Sequence, residues 1–333
     1  MWEGTKRKKL SIIIPTLNRA DLLKQTLESI HKQTFSKEDF EVIVIDNGSV
    51  DHTKEVCVDY QKVSGNLRYI YDNRPGLHIG RNRGYLESKS DILVYADDDI
   101  IAYSSWLEAI YEGFKDEKTV LIGGNNYPYF ECAPPRWLEE LWIYNEREKA
   151  KRLETHSIII MGNEPRRVKP GMVFGCNFAI RKKIVKEAGG FHPDGVPDIY
   201  LKYRGDGESY VTSYINRYNM KVMFYPEASV YHMVTKQRMT KQYVQKVAYR
   251  SGISAGYARL RALPSLLDYP RVLRDSVVSL YNNKIHKNEK NIRKIKNYYL
   301  YKGYLYIVIQ FGISKKVRNW IARSNYINAR IPQ

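Results

Sequence analysis

Three consecutive aspartates, Asp97-Asp98-Asp99, follow an apolar run, Ile92-Leu93-Val94-Tyr95-Ala96. The run is short, continuously apolar and β-rich, which predicts a buried strand of a parallel sheet. Carboxylates gathered where such a strand leaves the sheet are costly unless something positive meets them. A divalent cation bound to a phosphorylated ligand meets them well, since hard cations take carboxylate oxygens and often keep substrate phosphates in their shell. Ligands of open α/β sheets also gather at the carboxyl ends of strands. The plain alternative for an isolated acidic triplet is a solvated turn.

Further chemistry-bearing groups recur at strand ends. Pro15-Thr16-Leu17-Asn18-Arg19 follows the run Leu10–Ile14, and Asp46-Asn47-Gly48-Ser49 follows Phe40–Ile45. Gly80-Arg81-Asn82-Arg83-Gly84 comes after a third run, Leu67–Tyr71. Later come Gly175-Cys176-Asn177, then Gly205-Asp206-Gly207-Glu208 at a helix start, then His232 after a short strand. Carboxylates at a helix N-terminus keep their ionised form, which general-base work requires.

The elements that must position these groups are legible from periodicity. Asp21 is placed to cap a helix whose apolar positions Leu22, Leu23, Leu27 and Ile30 keep helical spacing, and Ser49 or Asp51 caps the next. Helices are expected over Ile79–Ser88, Trp106–Phe114, Lys182–Ala188 and Ser209–Asn219. Further strands are expected over Val173–Ile180, Val222–Tyr225 and Ser229–His232. Strands alternating with helices predict a parallel sheet with right-handed crossovers. Residues 125–170 loosen the pattern with Pro128, Pro134, Pro135 and Pro165, and read as a long insertion or lid. Beyond residue 236 the segments read as helices, with Met239, Tyr243 and Val247 on one face and Leu273, Val277 and Leu280 on another.

The assembled set, in this order, resembles a family 2 glycosyltransferase of GT-A fold over residues 9–235. The resemblance implies a Rossmann-like, mostly parallel sheet flanked by helices. Residues 1–100 would form the nucleotide-binding half of a catalytic domain 1–235, and 101–235 the acceptor half with the 125–170 insertion. It implies that Pro15, Thr16, Asn18 and Arg19 line the nucleotide pocket, and that Asp46 bonds the base, usually uracil. Gly48 and Ser49 would let the backbone approach the ring, and the Gly80 loop would bring Arg81 to the ribose and diphosphate. Asp97 and Asp99 match the ends of a D-x-D motif. Asp99 would bind Mg2+ or Mn2+, Asp97 would touch ribose or sugar with Asp98 beside it, and His232 would reach the diphosphate or metal. Asn177 and Cys176 would pass close to donor sugar and acceptor, and Trp137 would offer a stacking platform. The implied activity is inverting transfer from a nucleotide-diphosphate sugar, most simply a UDP-sugar, to a hydroxyl of a glycan or polyprenyl-linked acceptor. The general base is Glu208 or Asp206, because Gly207 stands where the family's second acid is expected.

The bland readings run alongside. Asp46 could cap its turn, Asp206 and Glu208 could cap a helix, Arg83 could lie on a solvated face, and His232 and Trp137 could serve packing. A nucleotidyltransferase would want a Gly-rich phosphate loop with a Lys after the first strand, and Pro15–Arg19 is not one. A non-catalytic sugar-nucleotide or surface-binding protein remains the reading that the Gly207 irregularity would suit.

Composition adds the setting. A 43% hydrophobic content is enough for a large core, and three cysteines without C-x-x-C spacing fit a reducing, cytoplasmic compartment. The basic N-terminal stretch has only a strand-length apolar run and is not expected to be a secretory signal. Residues 236–333 contain 21 Lys or Arg against three acids and carry the whole net charge of +18. With interleaved Tyr and Trp, this predicts peripheral docking on the anionic inner face of a membrane. Nucleic acid is the less expected partner, for want of a binding motif, and the exposed tyrosines could equally build a homodimer.

Overall fold

The computed structural model describes residues 8–284 and 291–332. The first seven residues, residues 285–290 and Gln333 lie outside the described residues, and with them Lys287, Glu289 and Lys290 of the charge count. The chain alternates as expected through β1 (Leu10–Thr16), α1 (Ala20–His31), β2 (Phe40–Asp46), α2 (Thr53–Ser64), β3 (Leu67–Tyr71), α3 (Leu77–Glu87) and β4 (Ile92–Ala96). Every residue of β1, β2 and β4 is buried, as continuous apolar runs demand when helices cover both sheet faces.

The middle of the chain departs from the alternation. It runs β5 (Ile100–Ala102), α4 (Trp106–Gly113), β6 (Thr119–Gly123), β7 (Asn126–Phe130), β8 (Ile143–Asn145), β9 (Ala150–Leu153), β10 (Ile158–Ile160) and β11 (Arg166–Arg167). Then come β12 (Asn177–Arg181), α5 (Lys182–Glu187), α6 (Glu208–Arg217), β13 (Lys221–Phe224) and β14 (Val230–Val234). The main sheet has the order β11-β13-β6-β12-β4-β1-β2-β3. It is mostly parallel, but β12 runs antiparallel to both β4 and β6. The 125–170 insertion is more ordered than its prolines suggest. It builds most of a second sheet, β5-β14-β7-β10-β9-β8. β14 joins this sheet parallel to β7 and antiparallel to β5, with His232 opposite Ile100.

Helix α1 also differs from its sequence reading. Its free end is satisfied by Asp51, whose carboxylate accepts from the Ala20 N–H at 3.0 Å, while Asp21 sits inside the first turn. Local sequence could not reveal a cap supplied from 31 residues away.

The C-terminal region consists of α7 (Lys241–Arg261), α8 (Tyr269–Lys284), α9 (Ile292–Ile313) and α10 (Lys315–Ile321). The buried face of α7 is Val244, Ala248, Gly252 and Gly256, one step round from the expected 239/243/247 stripe. On α8 the buried residues are Val272 and Ser276, and Val277 is exposed. For α7 the reason is glycine. A Cβ on Gly252 would lie 1.9 Å from the Leu300 carbonyl oxygen, and one on Gly303 would lie 1.8 Å from that of Tyr249. The helices α7 and α9 therefore touch backbone to backbone, and apolar side chains one position away turn to the flanks. Among the described residues no helix is long and apolar enough to cross a membrane.

These helices pack onto the sheet domain. Trp320 donates its indole N–H to the Tyr203 carbonyl at 2.8 Å, and the Tyr326 N–H reaches Gly189 O at 2.8 Å. Tyr203 shares an apolar cluster with Tyr257, Ile307, Trp320 and Tyr326.

Candidate active site

The acidic triplet leaves β4 with its three side chains in three environments. Asp98 turns under the first loop, where Thr16 Oγ1 donates to it at 2.7 Å and Arg19 Nη1 at 2.6 Å. Asp99 is buried and meets three basic groups: Arg19 Nη2 at 2.5 Å, Arg238 Nη1 at 2.8 Å and His232 Nε2 at 3.1 Å. Asp97 is the open one, with a side chain 26% exposed and Arg81 Nη2 at 3.5 Å. Burial and the adjacent Asp99 push the Asp98 carboxyl up, against the pull of Arg19. Burial would also raise Asp99, but His232, Arg19 and Arg238 outweigh it and hold the carboxyl well below the usual range.

Helix α3 adds the other side. Gly80 faces Pro15, which brings the helix close to β1. Arg81, with only 3% of its side chain exposed, donates Nη1 to Glu208 Oε2 at 2.8 Å. Burial opposes its charge, but Glu208, Asp97 and Asp194 raise its pKa and keep it cationic. Arg81 thus bridges the strand-end acid Asp97 and the helix-start acid Glu208. Gly175 keeps the space beside them clear: a Cβ there would sit 2.4 Å from Arg81 Nη2 and 2.9 Å from Glu208 Oε1.

The two alternatives for the base part company. Glu208 is the first residue of α6 and its side chain is 27% exposed in this cluster. Asp206 points the other way, to His192 Nδ1 at 2.8 Å, in a seam closed by Tyr210, Tyr257 and Tyr326. Gly207 between them has φ +57, and a Cβ would press on Asp194 Oδ2 at 2.8 Å. A second acid at 207 would be strained in this backbone, which accounts for the irregular motif.

Other expected residues serve the framework. Asp46 Oδ1 accepts from the Gly48 and Ser49 N–H groups at 3.1 and 2.7 Å, and Tyr69 O–H donates to Oδ2 at 2.6 Å, so its oxygens hold the turn after β2. Asn18, left-handed at φ 53, gives its N–H to Ser49 Oγ at 2.9 Å and accepts the Val50 N–H at 2.8 Å, lacing the first two strand-end loops together. Asn177 is buried. Its amide receives the Trp106 indole N–H at 2.9 Å and donates to Ala228 O at 2.9 Å, so it faces the core rather than an open site. Arg83 pairs with Glu87 at 2.7 Å on the helix surface. Trp137 packs in the apolar cluster of Leu138, Val234, Ile292 and Ile295, under the start of α9.

The donor set suits a hard divalent cation. Asp97, Cys176 and His232 each offer a ligand atom, all within 4.8 Å of one another. His232 Nδ1 lies 2.7 Å from the His156 carbonyl, an acceptor, so it donates there, and Nε2 faces Asp99 Oδ1. Two acceptors in that arrangement need a proton or a cation between them. Of the three groups, the Asp97 carboxylate and the His232 imidazole fit Mg2+ or Mn2+. Cys176 is less suited: burial pushes its thiol pKa well above the ordinary value, and its sulfur accepts from Asn126 Nδ2 at 3.2 Å.

Sequence reasoning missed Arg238 and Asp194. Arg238 meets Asp99 across 139 residues and carries no motif; its one signal was a position six residues beyond His232. Asp194 lies in a loop and is fixed by Arg204 at 2.7 Å.

Comparison with known proteins bears on the family and the fold. The family model described as Glycosyl transferase family 2 matches residues 11–189. The glycosyltransferase AglE of Haloferax volcanii is 34% identical over 132 residues, 38% of this chain and 43% of the relative. The poly(ribitol-phosphate) beta-N-acetylglucosaminyltransferase TarP of Staphylococcus aureus is 32% identical over 119 residues, 35% of this chain and 36% of the relative. The GalNAc(5)-diNAcBac-PP-undecaprenol beta-1,3-glucosyltransferase of Campylobacter jejuni is 36% identical over 93 residues, 27% of this chain and 29% of the relative. The chain thus spans less than half the length of each of these relatives. Among solved structures, the mannosyltransferase PcManGT from Pyrobaculum calidifontis, in complex with GDP-Man and Mn2+, superposes with a TM-score of 0.57 at 15% identity. That superposition covers 93% of this chain and 88% of the other, and shows a shared GT-A fold.

Proposed function

The chain belongs to glycosyl transferase family 2, and on that premise we propose that it transfers a sugar, with inversion, from a nucleotide-diphosphate donor to a hydroxyl of a glycan or lipid-linked acceptor. The observation that carries this reading is the Asp97–Arg81–Glu208 bridge. It sets two partly exposed carboxylates around one space, with a buried permanent cation between them.

In this reading Glu208 takes the acceptor proton. Arg81 holds Oε2, and Oε1 remains toward the gap beside Gly175. As the acceptor oxygen bonds to the anomeric carbon, its proton passes to Glu208 and the bond from that carbon to the diphosphate oxygen breaks. Attack and departure on opposite faces invert the centre. Arg81 stays charged throughout and offsets the negative charge of donor and carboxylates. Asp97, Asp99 and His232 would hold Mg2+ or Mn2+, which supplies Lewis-acid stabilisation to a diphosphate leaving group. The loops of Pro15–Arg19 and Asp46–Ser49, laced by Asn18, form the nucleotide wall, and a UDP-sugar is the proposed donor.

We place the enzyme against the anionic inner face of a membrane. Leu267 is 90% exposed, Tyr281 74% and Ile313 73%, beside Arg271, Arg274, Lys284 and Lys315 of the cationic helices. Apolar groups interspersed with cations suit a headgroup layer.

A donor panel tests the reading. The protein is incubated with Mn2+ and each common UDP-, GDP- and dTDP-sugar, and nucleotide binding and release are followed. Binding of one donor, lost in Asp99→Ala and kept without turnover in Glu208→Gln, is expected. Failure to bind any donor, with or without metal, would sink it.

A further inference from the structure

A second cavity lies at the far end of α6 from Glu208, with a volume of about 560 Å³. Its wall contains Arg147, Lys149, Arg166, Arg167 and Lys169 against a single carboxylate, Glu148. The excess is local. Residues 1–235 hold equal numbers of basic and acidic groups, so the cavity is not a sample of a generally cationic surface.

Glu148 does little to neutralise it. Lys169 meets Glu148 at 3.0 Å. Arg166 uses Nη2 on the Glu148 and Lys149 carbonyls and lays its guanidinium over Phe224 at 5.4 Å. Arg167 bonds the oxygens of Asn219, at 3.1 Å for the side chain. Arg147 and Lys149 have no carboxylate partner among the described residues. The cations are also positioned. β11 carries Arg166 and Arg167 in register with Phe224 and Met223 of β13, and the turn carrying Lys149 closes with a bond from its N–H to Glu146 O at 3.1 Å. Arginine forks presented from an ordered strand suit phosphate oxygens better than a mobile lysine patch does.

The cavity and the proposed base share one helix. α6 has Glu208 as its first residue, and Asn216 and Asn219, at and just beyond its other end, line the cavity. Ten helical residues span about 15 Å. We propose that this cavity binds a phosphate group of the acceptor while another part of the same molecule presents its hydroxyl to Glu208. The inference rests on the transferase reading and adds an acceptor class to it: a glycan that carries phosphate, either as phosphodiester links along the chain or as the diphosphate of a lipid carrier.

The test is calorimetric binding of two probes, a glycerol-phosphate hexamer and inorganic pyrophosphate, each with and without UDP and Mn2+ filling the donor site. The wild-type protein is expected to bind, with affinity falling as salt rises. The R147A/K149A/R167A variant should lose affinity by about tenfold or more, since it removes three of the five cations that would meet the phosphate oxygens. UDP binding should be unchanged and melting unaltered. Preference for the hexamer assigns the phosphodiester source, and preference for pyrophosphate the lipid-carrier source. Binding that the triple variant leaves intact, or binding of neither probe, overturns the proposal. Absence of UDP binding in the wild type would instead count against the transferase reading, so the two failures are distinguishable.

Discussion

Asp206 and Glu208 flank one glycine, yet they belong to different regions of the molecule. Glu208 faces the strand-end cluster, where one buried arginine is shared by two carboxylates that stay partly open to solvent. Asp206 faces the helical seam, where one carboxylate meets one histidine among stacked aromatic rings. The first arrangement keeps charge available to a ligand; the second uses charge to fix the packing of two layers. Similar residues at neighbouring positions therefore do different physical work, decided by which surface each meets.

The largest expected effect that would sharpen this contrast is on turnover. Glu208→Gln should lower it by about 10²- to 10⁴-fold, the usual share of a general base, with donor binding retained. Normal turnover in that variant would remove Glu208 from the chemistry. Next comes the helical region itself. Gly303→Val places side-chain atoms against the Tyr249 carbonyl, and overpacking of this kind costs about 3 kcal/mol. Urea unfolding would read it, and an unchanged midpoint would mean that α7 and α9 do not meet as closely as described.

The third effect is on pH dependence. His78, the second residue of α3, is fully buried against the Asp194 loop, and burial lowers its pKa to about 4. A depressed histidine pKa means that the folded state prefers the neutral ring. The stabilising preference is complete above the unfolded value of about 6.5 and is lost as pH falls from there to about 4. One pKa unit corresponds to about 1.4 kcal/mol, so His78 contributes a loss of up to about 3 kcal/mol across that window. Unfolding free energies at pH 7 and pH 4.5 should show the fall, and His78→Gln should flatten it. The smallest effect is Asp206→Asn, expected to reduce stability by about 1–3 kcal/mol through the His192 bond while leaving turnover per folded molecule near normal. A turnover loss as large as that of Glu208→Gln would move the base to Asp206 and erase the distinction between the two regions.

Much of the first half was legible in the sequence because its signals are local. Apolar runs marked β1, β2 and β4, and the motifs at Pro15–Arg19, Asp46–Ser49 and Asp97–Asp99 fall at their carboxyl ends, while Gly80–Gly84, expected as a loop, lies inside α3. The 125–170 insertion was less legible, since strands of two to five residues are too short to leave a periodic trace. The stripes on α7 and α8 were misread by one position. On α7 the contact is made by Gly252 against Gly303 of α9, which have no side chain to add to an apolar stripe.

What the sequence by itself determined is the chemical inventory and its order: acids and basic loops at strand ends, a family-specific arrangement, and a cationic C-terminal region. Those features follow from residue types and from periods of two and 3.6 residues, which the chain carries locally. The tertiary structure alone decided which of those groups meet. It set Arg238 on Asp99 across 139 residues, turned Asn177 into the core, laid the half-buried Trp137 against a packing cluster, and separated Glu208 from Asp206. Such meetings depend on how layers stack, and stacking is settled by shape and burial summed over the whole chain, which no local pattern records.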